Sequence, residues 1–183
     1  MPRIAQLDYD NLTPEQAEAV QGFKQGRIGA VRGPADAWLR APGFADPARR
    51  MVEYCRYDTE LPREVIELVI LLTGARWKAQ VEFWGHSHMA RRAGIADDVI
   101  EAIRLGEQPQ FERDDLRAAY ELVSEYFATN RVSDATYERA LAHFGERGLV
   151  EMIGACGLYG MVSMTLNIFE ARIPDGETNP FPE

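Results

Sequence analysis

The chain has 183 residues, of which 46% are hydrophobic and 27% are charged, and its formal net charge is −9. This length and composition predict a single globular domain over residues 1–183 and exclude a disordered or fibrous chain. Binding of nucleic acid depends on clustered positive charge, so an acidic chain without runs of lysine or arginine is not expected to bind it.

The N-terminal part, residues 1–33, is predicted to form a helix followed by a loop. Thr13-Pro14-Glu15-Gln16 combines a capping threonine, a proline at the first helical position and a glutamine that can complete a capping box. This helix should run to about Gln25 and stop at Gly26. The glycine-rich segment Gly26–Pro34 is predicted to be a loop, and the residues leave open whether it closes over a pocket. The first residues lack the apolar stretch of a secretory signal, so a cytoplasmic protein is expected.

Helices are also predicted in the middle of the chain. A short helix is expected near residues 35–40, and Asp46-Pro47 is predicted to open the next one, which should reach about Tyr57. The segment after Leu61-Pro62 is apolar on nearly every side, which indicates a fully buried helix. Its β-branched residues make a buried strand the alternative.

Two further helices should span about residues 77–93 and 95–105, the first ending at Gly94. Amphipathic spacing predicts another helix over residues 114–129.

The C-terminal part should contain a helix capped by Ser133 and a long helix over residues 146–169, followed by an extended tail, residues 174–183. From Met152 to Phe169 there are 18 residues without a formal charge, at the lower edge of the length that spans a membrane. Glycine, serine, threonine and asparagine within this stretch favour a helix packed inside the protein or between subunits.

Glu82 and His86 are four residues apart, so they share one face of a helix. The rest of that face is apolar or small, which predicts a carboxylate and an imidazole held together out of water. Burial would raise the pKa of the carboxyl group and pairing would stabilise the imidazolium, so a proton could pass between them near neutral pH. The alternatives are a histidine–glutamate pair at a helix surface and a core histidine bonded to the backbone.

Glu67 lies in the apolar run Val-Ile-Glu-Leu-Val-Ile, where an unpaired charge is costly. It is a candidate for the same site, and pairing with Arg63 across one turn is the alternative.

Four side chains are candidates for binding a substrate. Arg27 and Arg32 on the loop could hold a carboxylate through paired hydrogen bonds, with solvated arginines as the alternative. Phe83 and Tyr159 are the other two, with simple packing as the alternative. The three histidines are not brought together by spacing, so neither a metal nor another cofactor is predicted.

Glu67-Leu-Val-Ile-Leu followed by Glu82-Phe-Trp-Gly-His86-Ser-His-Met resembles the carboxymuconolactone decarboxylase family, which belongs to the alkylhydroperoxidase D-like superfamily. The similarity extends from about Gly33-Pro34 through Phe144-Gly145-Glu146 to the tail. The resemblance implies an all-α helical bundle that assembles as a homotrimer or homohexamer.

Redox members of that superfamily carry a glutamate, a CxxC pair and a histidine that is separated from the second cysteine by three residues. On this sequence the glutamate falls on Glu67 and the histidine on His86, but the two cysteine positions hold Ala79 and Glu82. Attack on a peroxide needs a thiolate there, so thiol peroxidase activity is not expected. The remaining residues resemble the cysteine-free branch.

That branch implies a cofactor-independent lyase that decarboxylates a small carboxylated lactone or a related cyclic acid of aromatic catabolism. His86 would then be the proton donor, Glu82 its partner and Glu67 the orienting carboxylate. The alternatives are a lactone hydrolase or isomerase, an oxidoreductase that uses Cys55 or Cys156, and a non-catalytic small-molecule binding protein. The expected partners are a small carboxylic acid or lactone and further copies of the chain, with no nucleic acid and no membrane.

Overall fold

The computed structural model describes residues 3–182, and every regular element in that range is helical. Met1, Pro2 and Glu183 lie outside the described residues. The all-α class predicted from the sequence is confirmed. The helices are α1 (Pro14–Gln25), α2 (Ala35–Trp38), α3 (Pro42–Glu53), α4 (Arg63–Arg76), α5 (Gln80–Ala93), α6 (Asp97–Leu105), α7 (Asp114–Thr129) and α8 (Asp134–Ile168). A π-helical turn, Tyr54–Asp58, continues directly from α3.

Helix α4 is the centre of the bundle, because α5, α7 and α8 all pack against it. The ten residues from Val65 to Gly74 are buried without interruption. A helix buried on all sides must be apolar on all sides, which is why this segment lacks an amphipathic pattern. Because residues 63–76 form a helix, the alternative of a buried strand is wrong.

Local capping signals set several helix ends as predicted. At the start of α1, the side chain of Thr13 accepts a hydrogen bond from the backbone of Gln16 at 3.2 Å, and the side chain of Gln16 accepts one from the backbone of Thr13 at 3.0 Å. The helix ends at Gln25. At the end of α5, Gly94 has φ 101°, a left-handed conformation that favours glycine.

Two predicted helix starts are wrong. Helix α3 begins at Pro42, and Pro47 lies inside it. A proline in the first turn lacks only an N–H that the helix does not use, so the earlier proline is an equally good start. Helix α5 begins at Gln80 instead of near residue 77, because Lys78 has φ 47° and interrupts the helical path.

Helix α8 has a sharp kink. Gly145 has φ 62° and ψ 176°, so the helix consists of two arms, as the sequence predicted. Within residues 3–182, α8 is the one helix long and apolar enough, by length and composition, to cross a membrane. However, 56% of its most apolar window is buried inside the protein, which is the behaviour of a packed core helix.

The C-terminal tail lies against α5 and α6. The ring of Phe181 packs edge-on against Phe83, with ring centroids 5.0 Å apart. Arg104 donates a hydrogen bond to the carbonyl of Pro180 at 3.0 Å. These contacts hold the tail over the back of the helix that carries Glu82 and His86.

Replacing Gly145 with alanine should lower the free energy of unfolding by about 1–3 kcal/mol, because its φ and ψ are accessible essentially only to glycine. Gly85 is the matched control, since no neighbouring atom lies within 4 Å of a Cβ at either position. Gly85→Ala should raise stability by up to about 1 kcal/mol, because Gly85 lies inside a regular helix. Urea denaturation of the two variants measures the difference, and equal stabilities would contradict the strained kink.

Candidate active site

Glu67 and His86 meet between α4 and α5. Nδ1 of His86 lies 2.6 Å from Oε2 of Glu67. The carboxylate is completely buried because it projects from the central, fully enclosed part of α4. His86 is also buried, with 7% of its surface exposed. The structure therefore brings together the two residues that the motif aligned, although they are 19 positions apart in the sequence.

Glu82 contacts the other side of the same imidazole. Its Oε1 lies 3.0 Å from Nε2 of His86, one helical turn away as the spacing predicted. The contact is an ion pair, and this buried oxygen accepts no well-aligned hydrogen bond. Glu82 is therefore held to His86 mainly by charge.

Arg63 also contacts Glu67. Its Nη2 lies 2.6 Å from Oε1 of Glu67, and its Nη1 donates to the backbone carbonyl of Arg56 at 2.9 Å. The pairing considered as an alternative for Glu67 therefore occurs together with the contact to His86. Two carboxylates, one guanidinium and one imidazolium make a cluster without net charge, in which only the Arg63 side chain is partly exposed.

The electrostatics favour the protonated form of His86. Burial alone would lower its pKa, but the charge of Glu82 and the hydrogen bond with Glu67 outweigh burial and raise the pKa to about 9. At neutral pH both ring nitrogens therefore carry protons and face carboxylates. His86 is thus arranged as a proton donor. The sequence predicted a proton shared with Glu82 near neutral pH, whereas the raised pKa keeps the proton on His86.

Tyr159 approaches the trio of Glu67, Glu82 and His86 from α8. Its ring lies edge-on to the imidazole of His86, with centroids 5.3 Å apart and planes at 78°. The hydroxyl is buried and has no hydrogen-bond partner among the described residues. Burial, with a smaller contribution from the charge of Glu82, raises the pKa of Tyr159 well above its usual value. A neutral O–H donor is thus left free beside the trio.

Two predicted substrate-binding residues do not lie at this site. Phe83 is 2% exposed and packs against Phe181 in the core, because adjacent positions on a helix point about 100° apart. Arg27 forms an ion pair with Asp58 and stacks over Tyr57, its guanidinium carbon 4.4 Å from the ring centroid. Phe83 therefore has a packing role and Arg27 lies in a surface ion pair, and binding of substrate by either residue stays a prediction.

A cavity of about 340 Å³ opens beside the trio. Arg63 belongs to both, since it lines the cavity and pairs with Glu67. The remaining lining residues are Arg32, Arg56, Met89, Arg92 and Ala93. Arg32 was predicted as a substrate-binding residue, whereas Arg56, Met89 and Arg92 were not recognised. No periodicity reveals Arg56, because it lies on the π-helical turn.

Neither cysteine is chemically activated. Cys55 is buried, and burial raises the pKa of its thiol to about 11. Cys156 is only partly buried, but burial also raises its pKa to about 11. Attack by sulfur requires a thiolate, so both thiols are protonated and unreactive at neutral pH.

Glu151, in the arm of α8 after the kink, is a third buried carboxylate, and its contacts are structural. It accepts hydrogen bonds from the hydroxyls of Tyr54 and Thr59, the backbone of Glu60 and the guanidinium of Arg147. Burial alone would raise its pKa, but these bonds lower it to about 2. Its hydrogen bonds fasten α8 to the π-helical turn, so we do not assign it to the reaction.

The other two histidines lie apart from the trio. His88 is exposed and contacts Trp84 edge-on, with ring centroids 5.1 Å apart. Among residues 3–182, no group of three or more histidine, cysteine, aspartate or glutamate side chains is arranged to hold a metal ion.

No family model and no curated protein matches the sequence. Solved structures with similar folds do exist. The debrominase Bmp8, solved with a tribromopyrrole, is 13% identical, with 94% of this chain and 91% of that chain covered and a TM-score of 0.72. A peroxidase-related protein from a Silicibacter species is 14% identical, with 96% and 92% covered and a TM-score of 0.73.

A third similar structure is an Agrobacterium tumefaciens protein of unknown function, related by its description to the antioxidant defence protein AhpD. It is 18% identical, with 78% of this chain and 99% of that chain covered and a TM-score of 0.66. Similarity at this level of identity concerns the fold. It confirms the predicted type of helical bundle.

The raised pKa of His86 predicts a pH-dependent stability. A histidine whose pKa rises on folding stabilises the protein fully below its unfolded pKa of about 6.5, and this contribution disappears as pH rises through about 9. Relative to His86→Gln, wild type should therefore lose on the order of 3 kcal/mol of unfolding free energy across this range. Urea denaturation at several pH values measures the difference, and parallel curves for the two proteins would contradict a protonated His86.

Proposed function

Because the chain has the alkylhydroperoxidase D-like fold but carries carboxylates around its histidine and no activated thiol, we propose that it is a cofactor-independent lyase. Its substrate would be a small carboxylated lactone or a related cyclic acid, which it decarboxylates. The observation that carries this proposal is the imidazole of His86, held between two buried carboxylates beside an unpartnered tyrosine hydroxyl. Such a group can deliver a proton in a site that largely excludes water.

Decarboxylation begins when the bond between the ring carbon and the carboxylate breaks. Carbon dioxide leaves, and the electron pair remains in the ring as a dienolate whose charge gathers on the carbonyl oxygen. The hydroxyl of Tyr159 is suited to donate a hydrogen bond to this oxygen, because it is neutral and already free. A donor aimed at developing charge in a water-poor site lowers the barrier substantially.

The dienolate must then be protonated on carbon. His86 supplies the proton from Nε2, whose contact with Glu82 is not a well-aligned hydrogen bond and is therefore the easier one to exchange. Glu67 keeps its contact with Nδ1 and fixes the orientation of the ring. Water then returns a proton to the imidazole, and the cycle consumes no oxidant or reductant.

The alternatives are distinguished by their products. An oxidoreductase would need a reactive thiol, and the raised pKa values of Cys55 and Cys156 weigh against it. A hydrolase or isomerase would use the same trio, but it would open or rearrange the ring without releasing carbon dioxide. A non-catalytic binder would bind the acid and leave it unchanged.

We expect wild type to release carbon dioxide from a carboxylated γ-lactone and to place one solvent deuterium on ring carbon in D₂O. His86→Gln should lower kcat by about 10²–10⁴-fold, the usual contribution of a general acid. His88→Gln is the matched control, since this exposed histidine lies two residues away on the same helix, and it should keep full activity. Equal activity of the two variants would remove His86 from the mechanism.

A second variant tests the mechanism even if His86→Gln does not fold. Tyr159→Phe removes only a hydroxyl that has no hydrogen-bond partner, so stability should not fall, while kcat should drop by about 10²–10³-fold with little change in KM. Chemical denaturation and steady-state kinetics measure the two effects. Unchanged kcat would contradict the role of Tyr159, and ring opening without carbon dioxide would identify a hydrolase.

The exposed face of α8 supports assembly into a homotrimer or homohexamer. Val150 and Ile153 are 69% and 68% exposed, and the small residues Gly154 and Gly157 adjoin them. Apolar side chains of this size on one helical face are typical of an interface. Light scattering should find an oligomer for wild type and for the control Gln21→Glu, and a smaller species for Val150→Glu combined with Ile153→Glu. An unchanged mass would contradict an interface at this face.

A further inference from the structure

The cavity beside the trio concentrates positive charge that the protein leaves unpaired. Of its four arginines, only Arg63 forms an ion pair with a carboxylate. In the described part of the chain, no carboxylate lies within 4.0 Å of the charged nitrogens of Arg32, Arg56 or Arg92. This is unusual in a chain whose formal net charge is −9, where an acidic partner for a surface arginine is easy to provide.

Arg56 shows most clearly that a partner is missing. Its Nε is buried and has no hydrogen-bond partner, its Nη2 donates to the sulfur of Met89 at 3.2 Å, and its guanidinium carbon lies 5.7 Å from the centroid of the Tyr57 ring. Sulfur in a thioether is a weak acceptor, so the guanidinium is held in a half-buried position with its strongest donors unsatisfied. Leaving a buried charged donor without a partner is costly, and an anion in the cavity would offset that cost through the charge of the whole guanidinium, since Nε itself is closed to solvent.

Packing explains how Arg56 comes to point inward. It lies on the π-helical turn between α3 and α4, and its backbone carbonyl accepts the hydrogen bond from Arg63. Hydrogen bonds from Tyr54 and Thr59 to Glu151 fasten the same segment to α8. π-Helical turns are rare and are found frequently at functional sites. The segment that carries Arg56 is held by Arg63 of α4 on one side and by Glu151 of α8 on the other.

We propose that this cavity binds the carboxylate of a small organic acid, with Arg32, Arg56 and Arg92 around the carboxylate and Met89 and Ala93 against the apolar body of the ligand. The planar guanidinium group matches the geometry of a carboxylate. A volume of about 340 Å³ lies at the small end of ligand pockets. The apolar side of the cavity favours an organic acid over an inorganic oxyanion, which would leave that side uncovered.

Arg63 determines where the bound acid lies relative to the trio. It lines the cavity on one side and holds Glu67 on the other, so an acid in the cavity is one side chain away from the carboxylate that orients His86. The inference rests on the proposed function in treating this acid as the substrate, with its carboxylate in the cavity and its ring extending past Arg63 toward the imidazole of His86. Binding can nevertheless be measured without turnover.

The test uses calorimetric titration of the full-length protein with furoate, the carboxylate of a five-membered ring, and with furamide, its neutral amide. Furoate should bind wild type, and furamide should bind at least tenfold more weakly, because the arginines need an anion. Arg92→Gln should weaken furoate binding about tenfold. Arg91→Gln is the matched control, because Arg91 precedes it on α5 and pairs with Asp97 at the surface, and its affinity should equal that of wild type.

Titration with inorganic phosphate distinguishes a site for an organic carboxylate from a site for an inorganic oxyanion. Weaker binding of phosphate than of furoate supports the assignment of an organic acid, and tighter binding overturns it. Equal affinities of the Arg91 and Arg92 variants, equal binding of furoate and furamide, or no binding of furoate would overturn the site itself.

The outcomes for the site and for the reaction are separable. Carbon dioxide release that depends on His86, without furoate binding in the cavity, would refute this inference and leave the lyase proposal in place. Furoate binding that depends on Arg92, in a protein that releases no carbon dioxide, would do the reverse. Circular dichroism of Arg92→Gln excludes unfolding as the reason for a loss, since Arg92 is exposed and its substitution leaves the core intact.

Discussion

The buried charge of Glu67 is the constraint on which the rest of the structure depends. A carboxylate in the middle of ten buried residues of α4 needs positive partners inside the protein. His86 and Arg63 are those partners, and removing one member of a buried pair typically costs about 3–5 kcal/mol. The requirement fixes how α5 lies against α4, and it keeps the imidazole protonated. Fold stability and the proposed chemistry therefore rest on the same contacts.

The signals that predicted the fold correctly are local ones. The capping box at Thr13, the glycine at Gly94 and the four-residue spacing of Glu82 and His86 depend on atoms a few positions apart, so the sequence states them directly. The start of α3 was misplaced because Pro42 and Pro47 are both compatible with a helix start, and only packing decides between them.

The site was predicted less completely, because most of its contacts join different helices. The meeting of Glu67 with His86 was expected from the family resemblance, since spacing within one helix says nothing about a neighbouring helix. Phe83 was predicted at the site, although it points into the core. Arg56 was missed because its direction depends on an irregular turn. Tertiary packing determines these contacts and directions, and the periodicity of the sequence does not reveal them.

The π-helical turn at Tyr54–Asp58 sets the direction of Arg56 independently of the positions of Glu67 and His86. Such a turn contains one residue more than an ordinary helical turn, so loss of a single codon there would restore regular helix and swing Arg56 by about 100°. Glu67 and His86 lie on other helices and would keep their places. A single deletion would in this way alter the proposed carboxylate site without moving the trio of Glu67, Glu82 and His86.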